Sequence, residues 1–229
     1  MNNNTIIILD FGSQYTQLIA RRIREIGVFS IVLPYDVDMD KIKSLNPGGI
    51  ILSGGPETVT KVNTPKINTT LFDFNIPLLG ICYGMQTMAQ ELGGTVISSD
   101  KREFGHANIK MTETSILFDG VDLTKDSLDV WMSHGDKVDQ LPSNFNTIAQ
   151  SDNCSIAGFQ NQERLWFGLQ FHPEVTHTNQ GSKILSNFVY AVCKCEKNWE
   201  TSDIIASMVS SVTDQVGNDK VLLGLSGGV

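Results

Sequence analysis

The sequence predicts an α/β fold, with a doubly wound, mainly parallel sheet, helices on both of its faces and a smaller mixed or antiparallel β region. The first half carries continuous apolar runs of strand length, which are typical of strands buried on both faces. These runs alternate with amphipathic segments of helical period, as in βαβ units. The second half carries short β-like runs separated by turns, which favours antiparallel pairing.

Four strand–helix units are predicted in the first half of the chain. The strands cover residues 5–9, 28–33, 49–52 and 77–81, and the helices cover residues 14–26, 39–45, 63–74 and 83–92. Gly27 follows the first helix, and a glycine in the left-handed conformation commonly ends a helix. The alternation predicts parallel strands joined by crossover helices.

The pattern changes after Gly93-Gly94. Strands are predicted at residues 95–98, 107–111, 128–132, 146–150, 155–160 and 165–171, with a hairpin turn at residues 161–164. A helix over residues 181–193 places five apolar side chains on one face. A further helix over residues 199–216 and a strand over residues 220–225 lead into Ser226-Gly227-Gly228.

The composition fits one full globular domain with room for part of another, since 41% of the 229 residues are hydrophobic. The net charge of −8 argues against a nucleic acid partner. No apolar run approaches the roughly 20 residues that span a bilayer, and the N-terminus lacks the features of a signal peptide. The four cysteines show no zinc-binding spacing. We therefore expect a reduced, cytoplasmic protein with no membrane partner.

The segment Gly80-Ile81-Cys82-Tyr83-Gly84 follows a predicted strand and opens a predicted helix. A nucleophile at the apex of such a turn is flanked by small residues, because the backbone is strained and tightly packed there. The partial positive charge of the helix N-terminus favours the thiolate of Cys82. The alternative is a buried cysteine that acts only as a small hydrophobic residue.

Two further segments lie at predicted strand ends. Ser53-Gly54-Gly55-Pro56 could turn backbone N–H groups toward an oxyanion, together with the N–H of Tyr83, or it could be an ordinary tight turn. In His172-Pro173-Glu174, the histidine could serve as general base and the glutamate could orient it. The alternatives are a surface histidine and a metal site that includes His177. Pro173 and the spacing disfavour the metal site, so no metal is predicted.

These segments carry a family resemblance. Gly80-Ile81-Cys82-Tyr83-Gly84-Met85-Gln86, followed after 172 − 82 = 90 residues by His172-Pro173-Glu174, resembles the class I (triad) glutamine amidotransferases, which are flavodoxin-like. The resemblance extends from Thr5 to about Lys194. Four more segments resemble the branch of that family whose complete enzymes aminate XMP to GMP, namely residues 8–15, 103–105, 131–136 and 172–178.

The resemblance implies an activity and a role for each residue. Cys82 would attack the side-chain amide of glutamine, His172 and Glu174 would complete the triad, and no cofactor would be needed for hydrolysis. The oxyanion would rest on the backbone N–H groups of Gly54 or Gly55 and of Tyr83. Glutamine's carboxylate and amino groups would be held by Gln86, Ser133, His134 and Gly135.

The end of the chain carries a second resemblance. Ser226-Gly227-Gly228 is similar to the opening of the phosphate-binding loop of N-type ATP pyrophosphatases. This implies an amidotransferase domain over residues 1–198, followed over residues 199–229 by a linker helix and the truncated start of an ATP pyrophosphatase domain. The complete enzyme would use ATP, Mg²⁺ and XMP and would be a homodimer.

Three other interpretations remain open. The chain could be an amidotransferase subunit of another pathway, although such a subunit would lack the Ser226-Gly227-Gly228 tail. It could be a non-catalytic regulatory module, although such modules normally lose the nucleophile. It could also be a related cysteine hydrolase that acts on larger γ-glutamyl substrates.

Overall fold

In the computed structural model, the strands of the described residues form one nine-stranded sheet. The structure describes residues 4–123, 127–197, 199, 209–210, 212–217 and 219–221. The sheet order is β2-β1-β3-β4-β9-β8-β7-β5-β6. The strands are β1 (Thr5–Asp10), β2 (Phe29–Pro34), β3 (Gly49–Leu52), β4 (Leu78–Ile81), β5 (Thr95–Met111), β6 (Leu128–Gln140), β7 (Asn146–Gln150), β8 (Gly158–Asn161) and β9 (Trp166–Leu169).

The sheet has a parallel part and an antiparallel part. Strands β2, β1, β3, β4 and β9 pair in parallel, and the remaining pairs, from β9 to β6, are antiparallel. Every residue of β3 and β4 is buried, which explains their continuous apolar sequences. The predicted fold class is confirmed, and its two β regions are continuous through the β9–β8 pair.

Helices cover both faces of the parallel part. They are α1 (Thr16–Ile26), α2 (Met39–Leu45), α3 (Tyr83–Glu91) and α4 (Gly181–Ser186), the last continuing as a π-helix over Asn187–Val192. The apolar side chains of α1 and α4 share one core, and those of α2 and α3 share the other. Helix α1 ends at Gly27, whose φ of 101° confirms the predicted left-handed stop. None of the helices in the described part of the chain has the length and hydrophobicity needed to cross a bilayer.

The helix predicted over residues 63–74 is wrong. The structure has only a short 3₁₀-helix there, Thr69–Asp73, preceded by irregular chain. Pro65 explains the difference, because it disfavours helical geometry in the residue before it and has no N–H to donate. The side chain of Asn68 then caps the short helix by accepting a hydrogen bond from the Thr70 N–H.

The strands predicted at residues 95–98, 107–111 and 128–132 were too short. The first two are parts of the single 17-residue strand β5, and β6 continues to Gln140. Side chains along β6 alternate between buried and more exposed positions, as expected of a strand with one buried face. The pairing of β5 with β6 shifts register between Ser98 and Glu103. Because of this irregularity, the sequence pattern did not reveal that β5 is one continuous strand.

The helix predicted to begin at Trp199 does not include that residue. The Trp199 N–H donates to the Gly27 carbonyl at 3.0 Å, and its ring packs 4.4 Å from the ring of Phe29, measured between centroids. Residues 209–210 and 212–216 are helical, as predicted. The rest of that segment, most of the strand predicted at residues 220–225 and the Ser226-Gly227-Gly228 loop lie outside the described residues.

Candidate active site

The turn between β4 and α3 holds Cys82 in a conformation that few residues other than glycine adopt. Cys82 has φ 52° and ψ −107°, a conformation that costs on the order of 1–3 kcal/mol and persists only where the surroundings enforce it. A Cβ on Gly80 would lie 2.6 Å from the Met85 nitrogen, and a Cβ on Gly84 would collide with the carbonyl oxygen of Leu52. The two glycines therefore let α3 pack tightly onto the strands and leave Cys82 at the apex of the turn.

Hydrogen bonds fix Cys82 at the carboxyl end of the parallel strands. Its N–H donates to the Leu169 carbonyl at 2.8 Å, which continues the β4–β9 pairing by one residue. Its thiol donates to the Ser133 carbonyl at 3.4 Å. Cys82 is also the residue that precedes α3, so the positive end of the helix lies next to the sulfur.

His172 follows β9 and is held mainly through its backbone. Its N–H donates to the Trp131 carbonyl at 3.0 Å, and its carbonyl accepts from the Thr178 hydroxyl at 2.6 Å. The ring Nδ1 lies 2.7 Å from Oε1 of Glu174. Both side chains are almost completely buried, with residue exposures of 3% and 1%. Because Nδ1 donates to the carboxylate, Nε2 is the nitrogen available to a substrate or nucleophile.

The pKa of His172 is raised well above its usual value of 6.5. Burial on its own favours the neutral ring and lowers the pKa, but the charge of Glu174 and the interaction with the Cys82 sulfur act in the opposite direction and prevail. In the described part of the chain, Oε2 of Glu174 has no hydrogen-bond partner. No other hydrogen-bond donor therefore competes with His172 for the Glu174 carboxylate. The site thus favours a protonated imidazole ring beside the sulfur nucleophile.

The Ser53-Gly54-Gly55-Pro56 turn lies against these residues. The buried Ser53 hydroxyl accepts from the Phe11 N–H at 2.9 Å and donates to the Gly54 carbonyl at 2.8 Å. In a trans peptide the following N–H points away from the carbonyl, so Ser53 also sets the direction of the Gly55 N–H. A Cβ on Gly54 would lie 3.2 Å from Cε1 of His172, whereas a Cβ on Gly55 would meet the Phe11 carbonyl oxygen at 2.7 Å. Neither glycine position has ready space for a side chain.

A cavity of about 460 Å³ opens beside the Cys82 sulfur. A smaller cavity of about 140 Å³ also includes Cys82, together with His172. Gly54 lines neither cavity, so of the two predicted glycines Gly55 has the better position for an oxyanion donor. A groove of about 660 Å³ elsewhere contains none of the predicted site residues. The predicted residues that line the cavity of about 460 Å³ are Gly55, Cys82, Tyr83, Gln86, Ser133, His134 and Gly135.

Gln86 and His134 are already engaged in the cavity wall. The Gln86 amide nitrogen donates to the Asp136 carbonyl at 2.7 Å and to Oε1 of Gln170 at 3.1 Å. His134 Nδ1 donates to the same Asp136 carbonyl at 2.9 Å. Burial lowers the pKa of His134, and the nearby carboxylate of Glu103 only partly offsets this. Both side chains therefore help to shape the β6 segment that faces Cys82.

Sequence reasoning assigned no role to several residues that line the cavity, and Asp136 is the most prominent of them. Its carboxylate accepts from the Ser98 hydroxyl at 2.8 Å and from the Thr58 hydroxyl. Asp136 is the last residue of the segment 131–136, whose resemblance to the family could have pointed to it. Residues 57–61 follow no recognisable pattern. The other lining residues that were missed are Pro56, Glu57, Thr58, Lys61, Ser98 and Phe104.

Comparison with known proteins identifies the family. The sequence pattern of class-I glutamine amidotransferases matches residues 7–192. The chain belongs to the class-I glutamine amidotransferase family. In this amidotransferase chain, the matched range includes each predicted triad, oxyanion and glutamine-binding residue.

Full-length relatives of this amidotransferase chain carry a more specific name. It is 59% identical over 233 residues to the glutamine-hydrolyzing GMP synthase of Ruthia magnifica subsp. Calyptogena magnifica. It is 53% identical over 229 residues to the enzyme of the same name from Vibrio cholerae serotype O1. Each alignment covers 100% of this chain but only 45% and 44% of the relative. The chain thus spans less than half the length of these curated relatives.

Solved structures with the same architecture support the fold of the amidotransferase chain. A Thermoplasma acidophilum protein, described as a candidate GMP synthase subunit, superposes with a TM-score of 0.73 at 29% identity, covering 90% of this chain and 99% of that one. A glutamine amidotransferase from Thermotoga maritima gives a TM-score of 0.60 at 17% identity, covering 94% and 98%. The second similarity bears on the fold alone.

Proposed function

We propose that this chain hydrolyses L-glutamine to glutamate and ammonia, with Cys82 as nucleophile. The observation that carries the proposal is the buried His172–Glu174 pair beside a cysteine at a strained strand–helix turn. The distance of 2.7 Å between Nδ1 and Oε1, and the raised pKa of His172, fit a histidine that is oriented and charged for proton transfer. Membership of the amidotransferase family supports glutamine as the substrate.

The first half-reaction releases ammonia. The Cys82 thiolate attacks the side-chain amide carbon, and a C–S bond forms as the carbonyl electrons move onto oxygen. The oxyanion accepts hydrogen bonds from the N–H groups of Gly55 and Tyr83; Tyr83 begins α3, so its N–H has no partner within the helix. Protonated His172 then gives its proton to the departing nitrogen. The C–N bond breaks, and a glutamyl thioester and ammonia remain.

The second half-reaction restores the enzyme. His172, now neutral, takes a proton from water as that water attacks the thioester carbonyl. The C–S bond breaks, glutamate leaves, and the thiolate and the protonated imidazole are both regenerated. No step requires a metal or an organic cofactor. Glu174 keeps its carboxylate charge throughout and stabilises the charged ring.

The cavity wall supplies groups for the rest of glutamine. The carboxylate of Asp136 lies in the lining and can pair with the α-ammonium group, while Lys61 offers a positive charge for the α-carboxylate. The side chains of Gln86 and His134 fix the position of this wall, because both donate hydrogen bonds to the Asp136 carbonyl. Ser133 and Gly135 line the same cavity. This arrangement favours a free amino acid as substrate.

In the complete enzyme, we propose that the ammonia aminates ATP-activated XMP to yield GMP, in a reduced cytoplasmic setting. Similarity to GMP synthases over the whole chain supports this pathway over the amidotransferase subunit of another one. ATP and Mg²⁺ would bind the part of the enzyme that begins with Ser226, Gly227 and Gly228, and the complete enzyme would be a homodimer. None of the four cysteines, all of which lie in the described part of the chain, forms a disulfide.

Replacement of the nucleophile tests the hydrolytic function. We expect Cys82→Ser and Cys82→Ala to abolish glutamate formation while the thermal unfolding temperature changes little, because the hydrogen bond of the thiol to the Ser133 carbonyl is weak. A glutamine-like electrophile should modify Cys82, located by peptide mass spectrometry, and spare Cys195, which serves as an internal control. Full glutaminase activity in Cys82→Ala would eliminate the assignment. Turnover of γ-glutamyl peptides as fast as glutamine would instead indicate a peptidase.

A further inference from the structure

Behind the cavity wall, Glu103, His134 and Cys154 bring three metal-ligating side chains together. The ligand atoms of the three residues all lie within 4.8 Å of one another, and all three residues are buried. They come from β5, from β6 and from the loop between β7 and β8. Because they are far apart in the sequence, the cysteine spacing that predicted no zinc site could not reveal them.

The two ring nitrogens of His134 both face acceptors. Nδ1 lies 2.9 Å from the Asp136 carbonyl oxygen, which can only accept, so Nδ1 carries a proton. Nε2 lies 3.1 Å from Oε2 of Glu103. In the neutral ring Nε2 would then present a lone pair to a carboxylate oxygen. A proton, carried by either group, or a metal ion is therefore needed between these two atoms.

Other contacts favour a metal ion over the proton. The Ser151 hydroxyl and the Asn153 amide donate to Glu103 at 3.2 and 3.3 Å and hold its carboxyl group next to His134. The Cys154 sulfur is a third ligand atom in the same cluster, which a proton shared between Nε2 and Oε2 would not need. A zinc ion with Zn–N and Zn–O bonds of about 2.0–2.2 Å separates two neighbouring ligand atoms by roughly 3.3–3.5 Å. Nε2 and Oε2 now lie 3.1 Å apart, at hydrogen-bond distance, so they need to move apart only slightly to bind the ion.

We propose that Glu103, His134 and Cys154 form a binding site for a borderline-soft divalent cation of the zinc type. Sulfur and imidazole ligands disfavour Mg²⁺ and Ca²⁺, which prefer oxygen. The Cys154 thiol, which now donates to the Ile156 carbonyl at 3.3 Å, would lose its proton on binding. Its pKa is raised to about 11 by burial, so metal uptake releases a proton and strengthens with rising pH.

The bound cation would act on the architecture of the cavity and take no part in the chemistry at Cys82. It would tie the loop that carries Cys154 to β5 and β6, and hold His134 at the position from which Nδ1 supports the Asp136 carbonyl. Ser151 and Asn153 would orient the Glu103 ligand from outside, as hydrogen-bonded partners of metal ligands commonly do. Cation binding at these three residues can be tested whether or not the chain hydrolyses glutamine.

Cobalt titration tests the site, since Co²⁺ reports thiolate ligation by a charge-transfer absorption. The background is the 229-residue chain with Cys82→Ala, stripped with chelator, because Cys82 and His172 could themselves bind a soft cation. We expect one equivalent of Co²⁺ to produce the absorption. Adding Cys154→Ser should remove it, whereas adding Cys195→Ser, which alters another buried cysteine, should leave it unchanged. No absorption in the background, or absorption that survives Cys154→Ser, would overturn the proposal.

A second measurement decides the question if Cys154→Ser does not fold. In crystals of the Cys82→Ala chain soaked with Zn²⁺, we expect an anomalous difference peak within about 2.0–2.3 Å of Nε2 of His134, an oxygen of Glu103 and the Cys154 sulfur. Ser151→Ala should weaken binding by roughly 10–100-fold, the usual effect of losing a partner of a metal ligand. A zinc peak at any other position, or none, would contradict the site.

Discussion

Glu174 contributes to the reaction through the charge that it places next to His172. Glu174→Gln keeps the size of the side chain and removes that charge, so we expect the pKa of His172 to fall. The protonated ring then loses its proton at lower pH, and the alkaline limb of the kcat/KM profile should move to lower pH. His172→Ala should be more damaging, with a loss of roughly 10²–10⁴-fold, because it removes the proton-transfer group itself.

The exposed Glu163, in the turn before β9, provides a matched control for this experiment. Glu163→Gln removes the same charge at a distance from the site and should leave both the rate and the pH profile unchanged. If Glu174→Gln were as damaging as His172→Ala in a folded protein, or left the alkaline limb where it was, orientation and charging of the ring would not be the role of Glu174.

Ser53 acts indirectly, by positioning the peptide group between Gly54 and Gly55. Its hydroxyl bridges the Phe11 N–H and the Gly54 carbonyl and so directs the Gly55 N–H. We expect Ser53→Ala to lower kcat for glutamine hydrolysis with little change in KM. The loss should stay below the roughly 10²–10³-fold that removal of an entire oxyanion donor costs.

Ser44→Ala is the matched control for Ser53→Ala. Ser44 also donates to a backbone carbonyl, that of Lys41, but it does so on the exposed surface of α2. Steady-state kinetics and thermal unfolding of both variants separate the two roles. A Ser53→Ala protein with a lowered unfolding temperature and an unchanged kcat would assign Ser53 to stability alone.

At the scale of elements, the close packing of α3 against β3 and β4 holds Cys82 in its strained turn. Gly84→Ala would drive a methyl group into the Leu52 carbonyl oxygen, a backbone atom that cannot rotate away. We expect a loss of stability of about 1–3 kcal/mol, the usual cost of overpacking, and a larger loss of activity because α3 must shift away from Cys82. Denaturant unfolding and the glutaminase assay measure the two effects.

Gly158→Ala is the control for that substitution. The nearest atoms to a Cβ at Gly158 are side-chain atoms of Ile148 and Ala149 at 3.2 and 3.3 Å, in the antiparallel part of the sheet. We expect a smaller change in stability and no specific loss of activity. Equal losses of activity in the two variants would show that general destabilisation, rather than a shift of α3, causes the loss of activity.

The sequence predicted the elements that depend on local pattern. The apolar runs of β1, β3 and β4, the helices α1 and α2 and the stop at Gly27 all follow from residues close together in the chain. The helix predicted over residues 63–74 was wrong because Pro65 disfavours helical geometry in the residue before it and has no N–H to donate. The length of β5 was missed because the register shift before Glu103 breaks the alternation that reveals a strand.

The site residues that could be predicted from the sequence are those that stand in recognisable motifs. Cys82, His172 and Glu174 stand in short recognisable segments, and the structure brings them together. Ser53 and Asp136 stood in noted segments without an assigned role, because what matters is which atoms their side chains reach across the sheet. The Glu103–His134 contact joins two strands through a pairing register that no local pattern specifies.

At the scale of the whole molecule, the 229 residues span less than half the length of the related GMP synthases. We expect no GMP when glutamine, ATP, Mg²⁺ and XMP are all supplied, because the chain spans only 45% of the length of a related GMP synthase. Glutamine hydrolysis should persist, since the proposed machinery lies within residues 7–192. It should not respond to XMP and ATP, because coupling requires a second binding site.

A full-length relative supplies the control for that experiment. Product analysis and the glutamate release rate, each measured with and without ATP and XMP, should differ between the two proteins only in nucleotide response and GMP formation. Isothermal calorimetry should detect no ATP binding to this chain. Hydrolysis accelerated by XMP and ATP in this chain would mean that a nucleotide site lies within it.

The pairing of β4 with β9 also determines when the nucleophile can become reactive. Cys82 and His172 are separated by 172 − 82 = 90 residues, and the hairpins β5–β6 and β7–β8 lie between them in the chain. During synthesis the cysteine emerges first and has no base until β9 closes this long loop, a slow, non-local step. A nascent chain therefore carries an ordinary thiol. The rate at which a glutamine-like electrophile modifies Cys82 therefore reports how fast the sheet is completed.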